Sequence, residues 1–322
     1  MKYKQHILIA LLLTIAANAV KADQAPFTLS GIKDKKIINN IQLSLKSVTI
    51  FKKHHRSNSH TTKLLYFNKI ISAIKPFGYF QPQIKLTKNK LNQLHFLISL
   101  GKPTTIKDIN FKIMGAGKSN HHFNQIKRKY KQEIGHTLNT QAYKEIKDNL
   151  YKVASNKGYF DAKMVSSTIT INRNTNLAYI KILFSTGQRY KIGTTTFSKT
   201  PFNHTFLTNF VSYKKGEYYN GNQIQITQRN FASSYYFQQA IITPQIKHSH
   251  HHVVPIRIDL IPVLQYSFTV GAGYGTDTGI RGIFNIENHY VNQYGHRFKL
   301  RTQASMKNNN LILSYEIPTG NP

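Results

Sequence analysis

The chain has 322 residues, a formal net charge of +32 and no cysteine. This length allows two or three domains that each bury a core, and the lack of cysteine excludes disulfides and cysteine-based metal sites. A charge this large favours contact with polyanions. The lysines are scattered along the whole chain, however, which is typical of a generally basic composition and not of one binding patch.

The first 22 residues have the pattern of a signal peptide. Lys2 and Lys4 precede the apolar run "ILIALLLTIAANAV", which is too short to span a bilayer comfortably. Small residues place the mature start near Asp23, with cleavage after Ala19 as an alternative; an N-terminal membrane anchor is the other interpretation. Export of the chain argues against a nucleic-acid partner.

A three-residue motif divides the following segment into repeats. It reads Gly78-Tyr79-Phe80 in the first copy and Gly158-Tyr159-Phe160 in the second, and "SSYYF" (233–237) is an altered third copy. A helical pattern precedes the first two motifs, because their apolar residues fall on one helix face. These residues are Leu64, Phe67, Ile71 and Ile74 in the first repeat, and Tyr143, Ile146, Leu150 and Val153 in the second.

Strand patterns follow each motif. Apolar residues alternate with other residues in "QLHFLISLG" and "NLAYIKILFSTG". The alternating residues are Leu94, Phe96, Ile98 and Leu100, and then Ala178, Ile180, Ile182 and Phe184. Both runs end in glycine, Gly101 and Gly187, and a phenylalanine (Phe111 or Phe197) lies ten residues after each. This constant spacing supports a true repeat.

Each repeat therefore predicts the order strand, helix, helix, strand, strand, an α+β unit whose sheet packs on two helices. The motif glycine suits the end of the second helix. We expect the Tyr and Phe after it to hold the next strand in the helix–sheet core, a structural role without chemistry. The third repeat should have a shortened second helix.

The order of elements, the Gly-Tyr-Phe corner and the tandem arrangement after a signal peptide resemble POTRA (polypeptide-transport-associated) domains. The resemblance implies three such domains, over residues 24–101, 102–187 and 188–263. The third is the most divergent of the three, because "SSYYF" replaces the glycine corner.

From residue 264 the pattern changes to four strands of sharp alternation. The first has Tyr266, Phe268, Val270, Ala272 and Tyr274 on one face and small or polar residues on the other. Later apolar sets are Phe284, Ile286 and Tyr290, then Phe298, Leu300, Thr302, Ala304 and Met306, then Leu311, Leu313, Tyr315 and Ile317. Strands of about nine residues with these faces suit a transmembrane barrel with a lipid side and a lumen side. A soluble sandwich is the alternative.

Three stretches, "GAGYGTDTGIRG", "NQYGHRF" and "LSYEIPTGNP", resemble the opening of the barrel in the TamA family. That family supplies the outer-membrane subunit of the translocation and assembly module and belongs to the outer-membrane insertase superfamily. The resemblance implies that 264–322 is the start of an incomplete outer-membrane barrel, since single-chain barrels need at least about eight strands to close. We expect either a fragment or an interrupted gene.

The resemblance also implies a function. The protein would be an outer-membrane assembly factor that receives unfolded barrel or autotransporter proteins through periplasmic POTRA domains. Its partners would be these clients, outer-membrane lipids and an inner-membrane-anchored TamB-like protein. A gate edge would lie on the first barrel strand, at Tyr266, Phe268, Val270, Gly271, Gly273 and Gly275. The alternatives are a two-partner-type secretion transporter and a soluble periplasmic binding module.

Other candidate sites are set aside. "GAGYG" (271–275) is not followed by a helix, which excludes a phosphate-binding loop. The histidines of "KHSHHHVVP" (247–255) are expected in a hairpin turn with no acidic residue nearby, and "FKKHHRSNSH" (51–60) in a solvated loop. "IRGI" (280–283) resembles a lumen-loop motif of the superfamily, but it lies on the second strand. No catalytic, cofactor or metal residues are assigned, and we expect no enzyme activity.

Overall fold

The computed structural model describes residues 27–54, 59–89, 93–276 and 279–319. The predicted signal peptide lies outside this range, as does the first part of the predicted first domain. Among the described residues, no helix combines the length and the apolar composition that a membrane span requires. Residues up to Thr104 form one compact unit and residues from Thr105 onward form a second.

The first unit has five main elements in the predicted order. They are β1 (Phe27–Ser30), α1 (Lys35–His54), α2 (Ser59–Ile74), β2 (Gln83–Lys88) and β3 (Leu94–Ser99). Strand β3 is central, parallel to β1 and antiparallel to β2. Its alternate residues Phe96 and Ile98 are fully buried against the helices, as the alternation predicted.

The buried face of α2 differs from the predicted one near the start of the helix. Tyr66, Ile70 and Ile74 are buried, whereas Leu64 is 54% exposed. Tyr66, Ile70 and Ile74 follow one another at intervals of four residues and so form a single stripe, while Leu64 lies two residues, about 200°, away from Tyr66. The prediction is therefore confirmed for Ile74, and Phe67 packs against the core, whereas Leu64 was wrongly assigned to the buried face.

The second domain repeats this order at the start of the second unit. It contains β4 (Thr105–Met114), α3 (His121–Lys131), α4 (Thr140–Asn156), β5 (Lys163–Asn172) and β6 (Leu177–Ser185). Strand β6 is central, between β4 and β5. All four residues predicted to alternate inward on β6, Ala178, Ile180, Ile182 and Phe184, are buried.

The third domain contains β7 (Lys191–Phe197), α5 (His204–Thr208), α6 (Gly221–Ser233), β8 (Phe237–Pro244) and β9 (Val253–Pro262), with β9 central. The second helix is shortened as predicted, to 13 residues against 16 and 17 in the other two domains. The first helix is reduced further, to five residues, which the sequence did not indicate. Aromatic rings fill the space near the short helix: Phe202, Phe206, Phe210, Phe231 and Phe237 belong to one core.

The last four strands form a separate antiparallel sheet in sequence order. They are β10 (Tyr266–Gly275), β11 (Gly279–Asn288), β12 (Arg297–Ser305) and β13 (Asn310–Glu316). In the described part of the chain this sheet is open, with β10 and β13 at its edges. Tyr290, predicted on the second strand, lies beyond its end and packs on Phe202 at 5.2 Å between ring centroids, because the chain has already left the sheet for the third domain.

Candidate functional site: the four-stranded sheet and its junction with the third domain

The register of the sheet collects the predicted apolar residues on one face. Phe268 lies opposite Ile286, Ile286 opposite Leu300, and Leu300 opposite Leu313. No other element among the described residues packs on this face: Phe268 is 64% exposed and Leu313 67%. A monomeric protein in water rarely exposes so large a continuous apolar surface, so this face suits lipid.

The ends of the apolar face carry aromatic residues. Tyr266, Phe298 and Tyr315 lie in one row across the sheet, with Asn288 between the first two, and Tyr274 lies near the other end of β10. Eight residues separate Tyr266 from Tyr274, about 27 Å along a strand and about 20 Å once a tilt of about 40° is included. This height is close to the apolar band of about 25 Å in outer-membrane barrels.

The opposite face carries a network of ion pairs near the aromatic row. The Arg297 guanidinium lies 2.6 Å from Glu287 and 3.2 Å from Glu316, and the Lys299 amino group 2.8 Å from Glu316. Arg297 is 7% exposed. A charge so buried is tolerated because both carboxylates and the Tyr235 ring, 4.5 Å from the guanidinium carbon, surround it.

The predicted gate residues all lie on β10, but on two faces. Tyr266, Phe268 and Val270 point to the apolar face, whereas Gly271, Gly273 and Gly275 belong to the polar face. The glycines do not interrupt the pairing of β10 with β11, which is continuous over all ten residues. Their visible effect is to leave the polar face of β10 without side chains over positions 271–275, whereas Ser267 and Thr269 occupy the rest of that face.

Two hydrogen bonds and close packing join the sheet to the third domain at the turn between β11 and β12. The Tyr236 hydroxyl donates to the carbonyl oxygen of Gly295 at 2.8 Å, and the Asn203 N–H donates to the carbonyl of Gln293 at 3.0 Å. Gly295 has φ +79°, and a Cβ there would lie 2.5 Å from the Phe206 ring. The sequence indicated this segment only as a turn, and its packing role was missed.

The junction has two further features. Burial raises the pKa of Tyr236, and the nearby Arg297 charge offsets this in part. The junction also contains a pocket of about 760 Å³. Its lining includes Phe206, Phe210 and Tyr236 of the third domain and Tyr294 and His296 of the turn.

The corner motifs lie where the second helix of each domain ends. Gly78 and Gly158 have φ +86° and +78°, the left-handed conformation that favours glycine. Each glycine carbonyl accepts a backbone hydrogen bond of 2.8 Å, Gly78 from Thr104 and Gly158 from Tyr190. Both donors lie three residues after the glycine that ends the last strand of the domain. The repeated motif therefore holds the exit of each domain against its own corner.

The tyrosine and phenylalanine of the corner have different positions. Tyr79 packs against the first core and Phe80 is partly buried. Tyr159 is buried and its ring contacts Phe123 of the second domain at 5.5 Å. Phe160 instead contacts Tyr190 at 5.2 Å and Tyr219 at 4.8 Å, both beyond the end of the second domain's last strand.

Phe160 was expected in the core of its own domain. Its ring packs against the third core instead, because the chain turns away from the second core after Tyr159 and the ring contacts aromatic side chains of the third domain. A Cβ on Gly158 would lie 2.7 Å from the Cβ of Tyr219, so the same glycine also permits close approach of the two domains.

The histidine cluster is part of the hairpin between β8 and β9, as predicted. The expectation that no acidic residue lies near it is wrong, since the His252 ring is 3.7 Å from the carboxylate of Asp161 in the second domain. Asp161 also accepts a hydrogen bond of 3.0 Å from the Tyr190 hydroxyl. Burial and this hydrogen bond raise the pKa of Tyr190. No group of three or more potential metal ligands occurs in the described ranges.

Solved structures of other proteins share parts of this architecture. No family model matches the chain. Among solved structures, it is similar to BamA from Haemophilus ducreyi lacking POTRA domains 1–3, with a TM-score of 0.50 and 16% identity over 64% of this chain and 38% of that one. It is also similar to POTRA domains 3–5 of Haemophilus influenzae BamA (TM-score 0.42, 11% identity, 73% and 94% covered). A third match is CdiB from Acinetobacter baumannii (TM-score 0.41, 14% identity, 90% and 52% covered).

The likeness to the Haemophilus ducreyi protein shows the fold. The predicted α+β fold, three tandem POTRA domains followed by four antiparallel strands of a barrel-type sheet, is confirmed. The chain spans less than two fifths of that BamA chain and about half of the CdiB chain.

Proposed function

We propose that this protein is an outer-membrane assembly factor that receives unfolded barrel or autotransporter proteins in the periplasm and helps to insert or translocate them. The single observation that carries this proposal is the four-stranded sheet. Its apolar face suits lipid, its other face is polar and charged, and its first strand pairs on one side only among the described strands. The POTRA domains would lie in the periplasm, as the signal peptide also predicts.

An assembly factor of this kind needs places where an extended client can add a strand. The outer strand of the second domain, β5, is such a place, since it pairs only with β6 among the described strands. It has ten residues, its only lysine is the first, Lys163, and it lacks proline. By contrast, β2 has six residues with two lysines, and β8 ends at Pro244. Lysine and proline discourage strand addition, so β5 is the preferred site for client capture.

The free edge of β10 is the proposed site of transfer to the membrane. A strand that pairs there continues the sheet and places its own apolar side chains on the lipid face, because the side-chain period of a strand is two. Pairing and burial in lipid supply the free energy, so no nucleotide is needed. The first domain would contact an inner-membrane-anchored TamB-like partner, and the basic surface would assist contact with anionic lipid.

Site-specific photocrosslinking in cells tests this function. A crosslinking residue at Thr269, on the edge strand β10, should capture unfolded outer-membrane clients during their synthesis. The matched control is Gln303, which lies on the same polar face but on the interior strand β12, and which should capture none. Equal yields at the two positions, or no client at either, would contradict the proposal. A monodisperse soluble protein without detergent would contradict the membrane location.

A further inference from the structure

An arginine side chain of β11 lies beside the glycines on the polar face of β10. Arg281, on β11, lies directly opposite Gly273 in the register. A Cβ built on Gly273 would be 3.3 Å from Nε of Arg281 and 3.7 Å from its Cγ. The arginine side chain therefore leaves its own strand and lies over the bare backbone of the edge strand.

The cationic group of Arg281 has no acidic partner in the described part of the sheet. Glu287 and Glu316, the two described carboxylates of these strands, are held near the other end by Arg297 and Lys299. Six residues separate Arg281 from Glu287, about 20 Å along β11. The remaining acid of the segment, Asp277, lies outside the described residues.

Distances decide what Arg281 can reach. A strand added to the edge of β10 would lie two strand spacings, about 10 Å, from β11. An extended arginine reaches about 7 Å from its Cα through six bonds, and a glutamate on the added strand covers the remainder. The path between them crosses position 273, and a side chain there would block it.

We propose that Arg281 is a specificity-determining residue of the β10 edge: it binds a carboxylate side chain on the polar face of the incoming strand, opposite Gly273. This inference rests on the proposed function, since it requires that a client strand pairs with β10. Guanidinium is the natural partner because its planar fork of N–H donors matches a carboxylate. The glycines keep the path across the edge strand open.

Peptide binding to the full chain in lipid nanodiscs tests the inference. The probes are fluorescent ten-residue peptides of alternating apolar and polar residues, with blocked ends, that carry Glu or Gln at one polar position. Three such pairs place the Glu at successive polar positions and so scan the register. We expect one position at which the Glu peptide binds about fivefold more tightly than its Gln counterpart, the upper range for a solvent-accessible ion pair.

Variants of the chain test whether Arg281 causes the preference for the Glu peptide. Arg281→Gln should abolish it and leave the affinity of the Gln peptide unchanged, whereas Arg301→Gln, on the same face but on β12, should keep it. Gly273→Val should weaken it, and Gly282→Val is the matched control, because Gly282 lies on β11 and a Cβ there meets nothing within 4 Å. Asp277→Asn should also keep the preference.

The outcomes separate this inference from the proposed function. Equal binding of Glu and Gln peptides at every position, or a preference that survives Arg281→Gln, would overturn the role of Arg281 while strand pairing at β10 stands. Failure of all the peptides to bind would overturn both.

Discussion

The backbone N–H of Tyr190 donates a hydrogen bond of 2.8 Å to the carbonyl oxygen of Gly158. This bond brings the beginning of the third domain to the corner of the second, and the ring of Phe160 then packs between Tyr190 and Tyr219. The second Gly-Tyr-Phe motif is thus a structural joint: Gly158 supplies the conformation, Tyr159 anchors its own core and Phe160 reaches the third domain.

Replacement of Gly158 by alanine should destabilise this joint strongly. The residue has φ +78° and its new Cβ would lie 2.7 Å from Tyr219, so left-handed strain and overpacking add to about 3 kcal/mol. Gly135→Ala is the control, because Gly135 has φ +89° with nothing within 4 Å; it should lose only about 1 kcal/mol. Urea denaturation followed by tyrosine fluorescence compares them, and equal losses would contradict the packing role of Gly158.

The neighbouring residues Tyr159 and Phe160 should respond differently to truncation. Tyr159→Ala removes a buried ring from the second core and should reduce the free energy of unfolding by about 3 kcal/mol. Phe160→Ala should cost less, about 1 kcal/mol, but should loosen the second domain from the third. Small-angle X-ray scattering would show the change as an increased radius of gyration in Phe160→Ala alone; an unchanged radius would refute the joint.

The hydrogen bond from Tyr236 to Gly295 should stabilise the junction between the third domain and the sheet. Tyr236→Phe keeps the ring but leaves a buried carbonyl without its donor, and should cost about 1–2 kcal/mol. Gly295→Ala should cost more, since its Cβ would lie 2.5 Å from the Phe206 ring. Differential scanning calorimetry in detergent measures both. A neutral Gly295→Ala would mean that the turn does not pack on the third domain.

Alkaline pH should destabilise the third domain through Tyr213. Burial raises the pKa of Tyr213 to about 12, and the hydrogen bond from Thr195 lowers it in part. Because the folded pKa lies above the unfolded value near 10, the contribution is complete below pH 10 and is lost as the pH rises to about 12. Tyr213→Phe should show a smaller loss of stability than the wild type over this interval, by up to about 2 kcal/mol. Parallel curves of unfolding free energy against pH for the two proteins would argue against a raised pKa of Tyr213.

Local periodicity determined much of this architecture. Strand residues alternate with a period of two, so the sequence of β10 to β13 already separated a lipid-type face from a polar one, and pairing in register preserved that separation. Likewise, the glycine positions of the corners followed from local conformation, since both need φ above zero. The sequence pattern was sufficient to predict the environment of a residue wherever that environment depends on its immediate neighbours along the chain.

Tertiary structure alone decided which separate segments meet. Asp161 beside His252, Tyr236 beside Gly295 and Phe160 beside Tyr219 are pairs separated by more than fifty residues. Leu64 was misplaced for a related reason: a helical period defines a stripe, but contact with the sheet selects which stripe is buried. Arg281 over Gly273 depends on the register of a hairpin. These contacts follow from packing in three dimensions, because side chains far apart in sequence become neighbours only when the elements that carry them have docked.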